Sequence, residues 1–181
     1  LDHPPRGSVL CAIEVPPFGG DTMFSSQHAA WDTLPEPFKI MLDGRKIAHV
    51  GKPYGVRWAP PIKEQSMKGS TRRGDPKADR ECWHPAVLTH PVTGNKGLYI
   101  NPTYALRIEG MSEEMSRPFL EELFRHTSLP EHCLRLRWSP GMVVIWDNYA
   151  TQHYAINDYH GFRREMRRVA FKSGGLEEWF N

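Results

Sequence analysis

The residues best suited to chemistry lie in the last third of the chain. There Trp146-Asp147-Asn148-Tyr149-Ala150-Thr151-Gln152-His153-Tyr154-Ala155 runs on to Asp158-Tyr159, Arg163-Arg164 and Arg167-Arg168. His153 stands just past a hydrophobic strand-like run, and an imidazole in that place is a candidate metal ligand. Arg164 and Arg168 follow it by 11 and 15 residues. In an extended segment, residues four apart share a face ~13 Å from each other, so both guanidinium groups would point the same way. Each is a planar fork of donors that fits a carboxylate or a sulfonate. The same residues also describe a solvated strand edge, and spacing alone does not separate the two.

The elements that must position them are short. Ser8–Val15 is a β-branched, apolar run closed by Pro16-Pro17 and Gly19-Gly20, which predicts a strand feeding a turn. Ala29, Ala30, Leu34, Phe38, Met41 and Leu42 recur at helical spacing, broken by Pro35 and Pro37 into two short helices that end at Gly44. Arg45–Val50 predicts a further strand. Ala86–Thr89 and Gly97–Asn101 flank a Gly94-Asn95 turn and predict a hairpin. Ser112 is placed to cap a helix with a stripe of Met115, Phe119, Leu123 and Phe124, in which Pro118 marks a kink or the true start. Leu134–Trp138 alternates like a half-buried strand, Met142–Trp146 is the most strand-like segment, and Met166–Lys172 supplies the last strand. Many short strands with Pro and Gly turns favour a mainly β sandwich or barrel with helical insertions.

Composition narrows the class. With 39% hydrophobic and 24% charged residues, the 181-residue chain is of a size and balance for one folded domain, spanning 1–181. A net charge of +2 gives no global bias toward nucleic acid or membrane, and no apolar run approaches the ~20 residues needed to cross a bilayer. The three cysteines, Cys11, Cys82 and Cys133, are odd in number and widely spaced, which fits reduced thiols in a cytoplasmic protein. Gly51–His84 stands apart, with eight basic residues against four acidic ones and no apolar period. It predicts a mobile insertion or lid over residues 51–84.

Gly19-Gly20-Asp21-Thr22-Met23-Phe24, His90-Pro91-Val92-Thr93-Gly94, Leu98-Tyr99-Ile100-Asn101, the Trp146–Tyr159 segment and the arginines follow one another in that order. Together they resemble the taurine dioxygenase / 2,4-dichlorophenoxyacetate dioxygenase family from His3 to about Phe171, most weakly across Gly51–His84. The resemblance implies a double-stranded β-helix (jelly roll) and a reaction using Fe(II), 2-oxoglutarate and O2. It implies that His153 is the distal histidine of a 2-His-1-carboxylate iron site. Arg164, helped by Thr22, would grip the far carboxylate of 2-oxoglutarate, and Trp146 would line that pocket. Arg168 would hold the anionic head of the substrate, with Tyr99 and Tyr104 on the substrate side; for Trp146 and both tyrosines, plain core packing is the competing role. The substrate would be a small organic anion: a sulfonate, a sulfate ester, or an aryloxy or alkyl carboxylate. Arg107-Ile108-Glu109-Gly110-Met111 leans slightly toward the aryloxyalkanoate branch.

One departure bears on activity. In that family a His-x-Asp pair supplies the other two iron ligands, and none of the nine histidines here is followed two places on by Asp or Glu. The expectation is that an N-terminal part lies outside this chain, which alone would be inactive. Two rival readings are a non-catalytic jelly-roll binding module and nucleic-acid binding through the basic 51–84 stretch. The second is disfavoured by its modest charge and lack of a recognisable module. Homo-oligomerisation is left open.

Overall fold

The computed structural model describes residues 5–52, 54–57 and 74–171. The first strand, β1 (Gly7–Glu14), is central in a three-stranded antiparallel sheet between β9 (Val143–Asp147) and β11 (Glu165–Phe171). Its β-branched and apolar residues suit a pleated surface, and Pro16-Pro17, without N–H donors, cannot continue the ladder. Gly19 and Gly20 then turn the chain with φ of 70° and 69°, a region closed to most side chains.

The turn delivers β2 (Thr22–Ser26) into a second antiparallel sheet, between β8 (Cys133–Leu136) and β10 (Thr151–Ala155). Ser26 ends β2 and caps α1 (Gln27–Asp32), its Oγ accepting from the Ala29 N–H at 3.2 Å. Helix α2 (Glu36–Leu42) starts after Pro35 and stops before Gly44, whose φ is 67°. A third sheet places β3 (Lys46–His49) between β4 (Cys82–Pro85) and β7 (Ala105–Ile108), and β5 (Val87–Thr89) pairs with β6 (Lys96–Leu98) as the expected hairpin. Helix α3 (Glu113–Thr127) is capped by Ser112, whose Oγ accepts from the Met115 N–H.

The main core lies between the helices and the β3, β6 and β7 strands. It joins Ala30, Leu34, Leu42, Ile47, Leu98, Ile100, Ile108, Leu120 and Leu123. The sheets built on β1 and β2 carry the candidate site instead.

Several expectations need correction. Residues 82–84 belong to a strand, because Cys82 and His84 pair with His49 and Ile47. Residues 51–57 are tied to 74–79 by Gly51 N–H to Ala78 O at 2.7 Å and Asp75 N–H to Tyr54 O at 2.9 Å. The lid and nucleic-acid readings rest mostly on residues 58–73, which lie outside the described residues. In α3 the buried face is Ser116, Leu120, Leu123, His126 and Thr127, while Met115 is 61% exposed. Pro118 sits inside the helix, not at its start. His153 follows the hydrophobic strand β9, as expected, and itself lies within β10. Among the described residues no disulfide forms, and no helix is long and apolar enough to cross a membrane.

Candidate functional site

Sheet register decides which side chains meet. Across the first sheet, Ser8 is opposite Trp146 and Ala170, Leu10 opposite Val144 and Arg168, and Ala12 opposite Met166. Directly paired residues share a face, so Ser8, Leu10, Ala12, Trp146, Met166 and Arg168 lie on one side. Arg164 stands just before β11, next to a register shift between Ala12 and Glu14. In the second sheet His153 is opposite Phe24, and Thr22 lies between Ala155 and Leu136.

The two sheets meet through aromatic rings. The Trp146 ring is 4.8 Å from the His153 ring and 5.4 Å from that of Phe24. The Arg168 guanidinium lies 5.7 Å from the centroid of the Trp146 indole. Imidazole, indole and guanidinium therefore form a row. The surrounding apolar rings push the His153 imidazole down to about 4, and the nearby Arg168 charge acts in the same direction. Trp146 and Phe24 crowd one side of the ring, and the residue is otherwise exposed. His153 is thus neutral near pH 7, the form in which an imidazole ligates a metal.

Arg164 is held differently. Its Nε donates to Gly20 O at 3.0 Å, and the guanidinium carbon sits 5.8 Å from the Tyr159 ring centroid. Its Nη2 is buried without a partner. A buried, charged donor left unpaired is costly, and an anionic oxygen is the group that relieves it. The Gly20 turn that meets Arg164 is fixed from behind: the Gly20 N–H donates to Asp158 Oδ1 at 2.7 Å, and Arg135 pairs with Asp21 at 2.7 Å. Thr22, two residues on, is fully buried, and its Oγ1 accepts from Trp138 Nε1 at 2.9 Å, which leaves its own O–H to donate. The Arg164 Nη2–H and the Thr22 O–H are thus two donors of an elsewhere well-tied turn with no acceptor of their own shown.

For a metal the fit is incomplete. Among the described residues no group of three His, Cys, Asp or Glu side chains could hold an ion. His153 offers one imidazole, and the described residues do not by themselves form a metal centre.

The tyrosines belong to a neighbouring cluster. Tyr99 packs 5.7 Å from both His49 and His84, and burial, with a smaller contribution from Tyr149, raises its phenol to about 12. It lines a cavity of about 230 Å³ together with His84, Leu88 and Tyr149. The Tyr104 hydroxyl is 3.3 Å from that of Tyr54. Burial, the Tyr54 hydrogen bond and the Tyr54 hydroxyl nearby push it up. Both phenols stay protonated and act as neutral hydrogen-bonding groups.

Sequence reasoning singled out none of Ser8, Asn148, Asp158 or Tyr54 as site residues. Asn148 takes the Trp146 Nε1–H at 2.8 Å and donates to Ser8 Oγ at 3.3 Å, and Ser8 Oγ also accepts from Arg168 Nη2 at 3.0 Å. Apart from the Trp146–Asn148 bond their partners lie far off in sequence, so only Asp158 and Asn148, standing inside the conspicuous C-terminal segment, left a local signal. Asp147 braces the same turn. Val92 and Thr93 N–H groups donate to His90 Nδ1, so its Nε2–H is the one that donates to Asp147, at 3.0 Å. Burial alone would raise the Asp147 carboxyl, but the bonds from His90 and the Tyr149 N–H outweigh it and hold it low.

The chain is similar to known proteins over most of its length. Residues 1–170 match the family model for taurine catabolism dioxygenase TauD, TfdA family. An alpha-ketoglutarate-dependent sulfate ester dioxygenase of Pseudomonas putida is 34% identical over 165 residues, covering 91% of this chain and 54% of that protein. An alpha-ketoglutarate-dependent 2,4-dichlorophenoxyacetate dioxygenase of Burkholderia sp. (strain RASC) is 36% identical, covering 91% and 52%. The crystal structure of a taurine dioxygenase from Burkholderia xenovorans superposes with a TM-score of 0.77 at 29% identity, over 94% of this chain and 55% of that one. That of AAD-2 in complex with Mn(II) and N-oxalylglycine gives 0.76 at 28% identity, over 94% and 64%. The chain spans about half the length of the curated relatives it matches.

Proposed function

We propose that this chain, which belongs to the TauD, TfdA family of dioxygenases, carries the anion-anchoring part of an Fe(II)- and 2-oxoglutarate-dependent dioxygenase with a jelly-roll fold. The substrate is a small organic anion: a sulfonate, a sulfate ester, or an aryloxy or alkyl carboxylate. The observation that carries this reading is the buried, unpaired Nη2 of Arg164 beside the hydroxyl-bearing β2 strand.

In this reading Arg164 and Thr22 hold the far carboxylate of 2-oxoglutarate, the guanidinium supplying charge and direction and the hydroxyl a further donor. Trp146 walls the cosubstrate pocket and keeps water from it. His153, neutral at working pH, contributes one metal ligand, and the others come from polypeptide outside the described residues. Arg168 orients the anionic substrate, and Tyr99 and Tyr104 line the substrate side. Iron(II) with 2-oxoglutarate and O2 would supply oxidation of a substrate C–H bond, releasing succinate and CO2. The share of these side chains is positioning, where a small displacement reduces rate as well as affinity.

The test is succinate release by the full-length protein given Fe(II), 2-oxoglutarate and a panel of small organic anions. Arg164→Ala should raise the KM for 2-oxoglutarate by roughly a hundredfold, the scale of losing a charge-assisted bidentate contact. Arg168→Ala should raise the KM for the anionic substrate by at least about tenfold and leave that for 2-oxoglutarate nearly unchanged. If both variants keep both requirements intact, the two roles are misassigned. A non-catalytic binding module is the second reading, favoured by the want of a three-ligand group among the described residues. It predicts anion binding with no succinate from any member of the panel.

A further inference from the structure

We infer that Ser8 and Asn148 are positioning residues that lock the Arg168 guanidinium and the Trp146 indole into one hydrogen-bonded chain facing His153. The inference rests on the reading of Arg168 as the substrate anchor.

Ser8 is completely buried, directly opposite Trp146 on β9 and one diagonal step from Arg168 on β11. A hydroxyl in that place needs partners, since burying it unsatisfied is unfavourable. It has two: Arg168 Nη2 at 3.0 Å and Asn148 Nδ2 at 3.3 Å both donate to its Oγ. The Asn148 amide cannot be turned over. Its Oδ1 accepts from the Trp146 Nε1–H at 2.8 Å, and an indole nitrogen is only ever a donor. Its Nδ2 also donates to Pro5 O at 3.1 Å. Three strands and the β9–β10 turn are thereby connected through one serine oxygen.

The consequence falls on Arg168. Its side chain is long and the residue as a whole is exposed, so left alone it would sample many rotamers. The bond to Ser8 fixes one of its five N–H donors, and the guanidinium carbon lies 5.7 Å from the centroid of the Trp146 ring, within reach of its π face. The remaining donors stay available to a ligand, on the side where the Trp146 ring approaches His153 at 4.8 Å. An anchor already held in place binds an anion without having to be ordered first. Alanine at position 8 would keep the strand and the packing yet leave two donors without an acceptor. Threonine would restore the oxygen.

The first measurement is nitrogen-15 NMR of the Arg168 guanidinium in the full-length protein, assigned with Arg168→Lys. Rotation should be slow in the parent and in Ser8→Thr, and fast in Ser8→Ala. The second is steady-state kinetics with Fe(II) and 2-oxoglutarate. There Ser8→Ala should raise the KM for the anionic substrate about tenfold, as expected for one hydrogen bond to a charged group, with the 2-oxoglutarate KM unmoved and Ser8→Thr recovering most of the loss. Asn148→Ala gives an independent route to the same loss should Ser8→Ala not fold. Unchanged guanidinium rotation in Ser8→Ala overturns the inference, and so does a parallel rise in both KM values. Rotation that responds while no variant binds or turns over any anion supports the positioning role and refutes Arg168 as the substrate anchor.

Discussion

Arg164 depends on a glycine that approaches it with no side chain of its own. Gly20 has φ of 69°, and a Cβ built there would sit 3.0 Å from Arg164 Cδ and 3.1 Å from Pro16 Cγ. Gly20→Ala therefore has two separable effects. The left-handed backbone should cost about 1–2 kcal/mol of stability, and the methyl group should push the arginine off its bond to Gly20 O. The predicted outcome is a lower denaturation midpoint together with a several-fold higher KM for 2-oxoglutarate, read from the same purified variant. Loss of stability with an unchanged 2-oxoglutarate KM would show that Arg164 reaches its ligand without this turn. The Gly19-Gly20 pair was visible in the sequence as a turn. Its contact with Arg164 was not, because 144 residues separate the partners and no local pattern records a meeting between two sheets.

Elements built from local signals were legible. The Ser112 cap, the Gly94-Asn95 hairpin and the Pro35 break between α1 and α2 all depend on chemistry within four residues, and each is present. The face of α3 was not legible, for a physical reason. Three of its five buried residues, Ser116, His126 and Thr127, are polar, so apolar periodicity favoured the neighbouring stripe. Ser116 is buried because its Oγ accepts from the Ile108 N–H at 2.9 Å, and His126 because its Nε2 meets Ala30 O at 2.8 Å. Pro118, on the exposed side, is the residue of α3 with no visible gain. It lacks the N–H that would bond to Glu114 O, and its ring crowds that carbonyl. Pro118→Ala should stabilise the protein by about 1–3 kcal/mol, seen as a higher urea midpoint with an unchanged slope. A lower midpoint would mean that the proline shapes the helix for the Ser116–Ile108 contact.

Stability of the whole molecule should carry the signature of one buried histidine. Sequence alone gave no reason to distinguish His49 from the other eight histidines. Burial distinguishes it: the residue is 7% exposed, its Nδ1–H donates to Ile47 O at 3.0 Å, and its Nε2 is buried without a partner. Burial, only partly opposed by the Ile47 bond and reinforced by the nearby His84 charge, brings its pKa down from 6.5 to about 4. A depressed pKa in the folded state means that the unfolded chain binds the proton more readily between those two values. Folding stability from this group is then fully present above pH 6.5 and is lost as pH falls toward 4, by up to roughly 3 kcal/mol. Other carboxylates and histidines titrate in the same window, among them His153 with a shift in the same direction, so the informative quantity is a difference between variants. His49→Leu leaves the Ile47 carbonyl without its partner and should be less stable than the parent at pH 7. Its melting temperature should then fall less steeply than the parent's between pH 6.5 and 4.5, so that the gap narrows on acidification. Parallel curves for the two proteins would mean that His49 is protonated at no extra cost in the folded state, and that the cluster of His49, His84 and Tyr99 admits the charge.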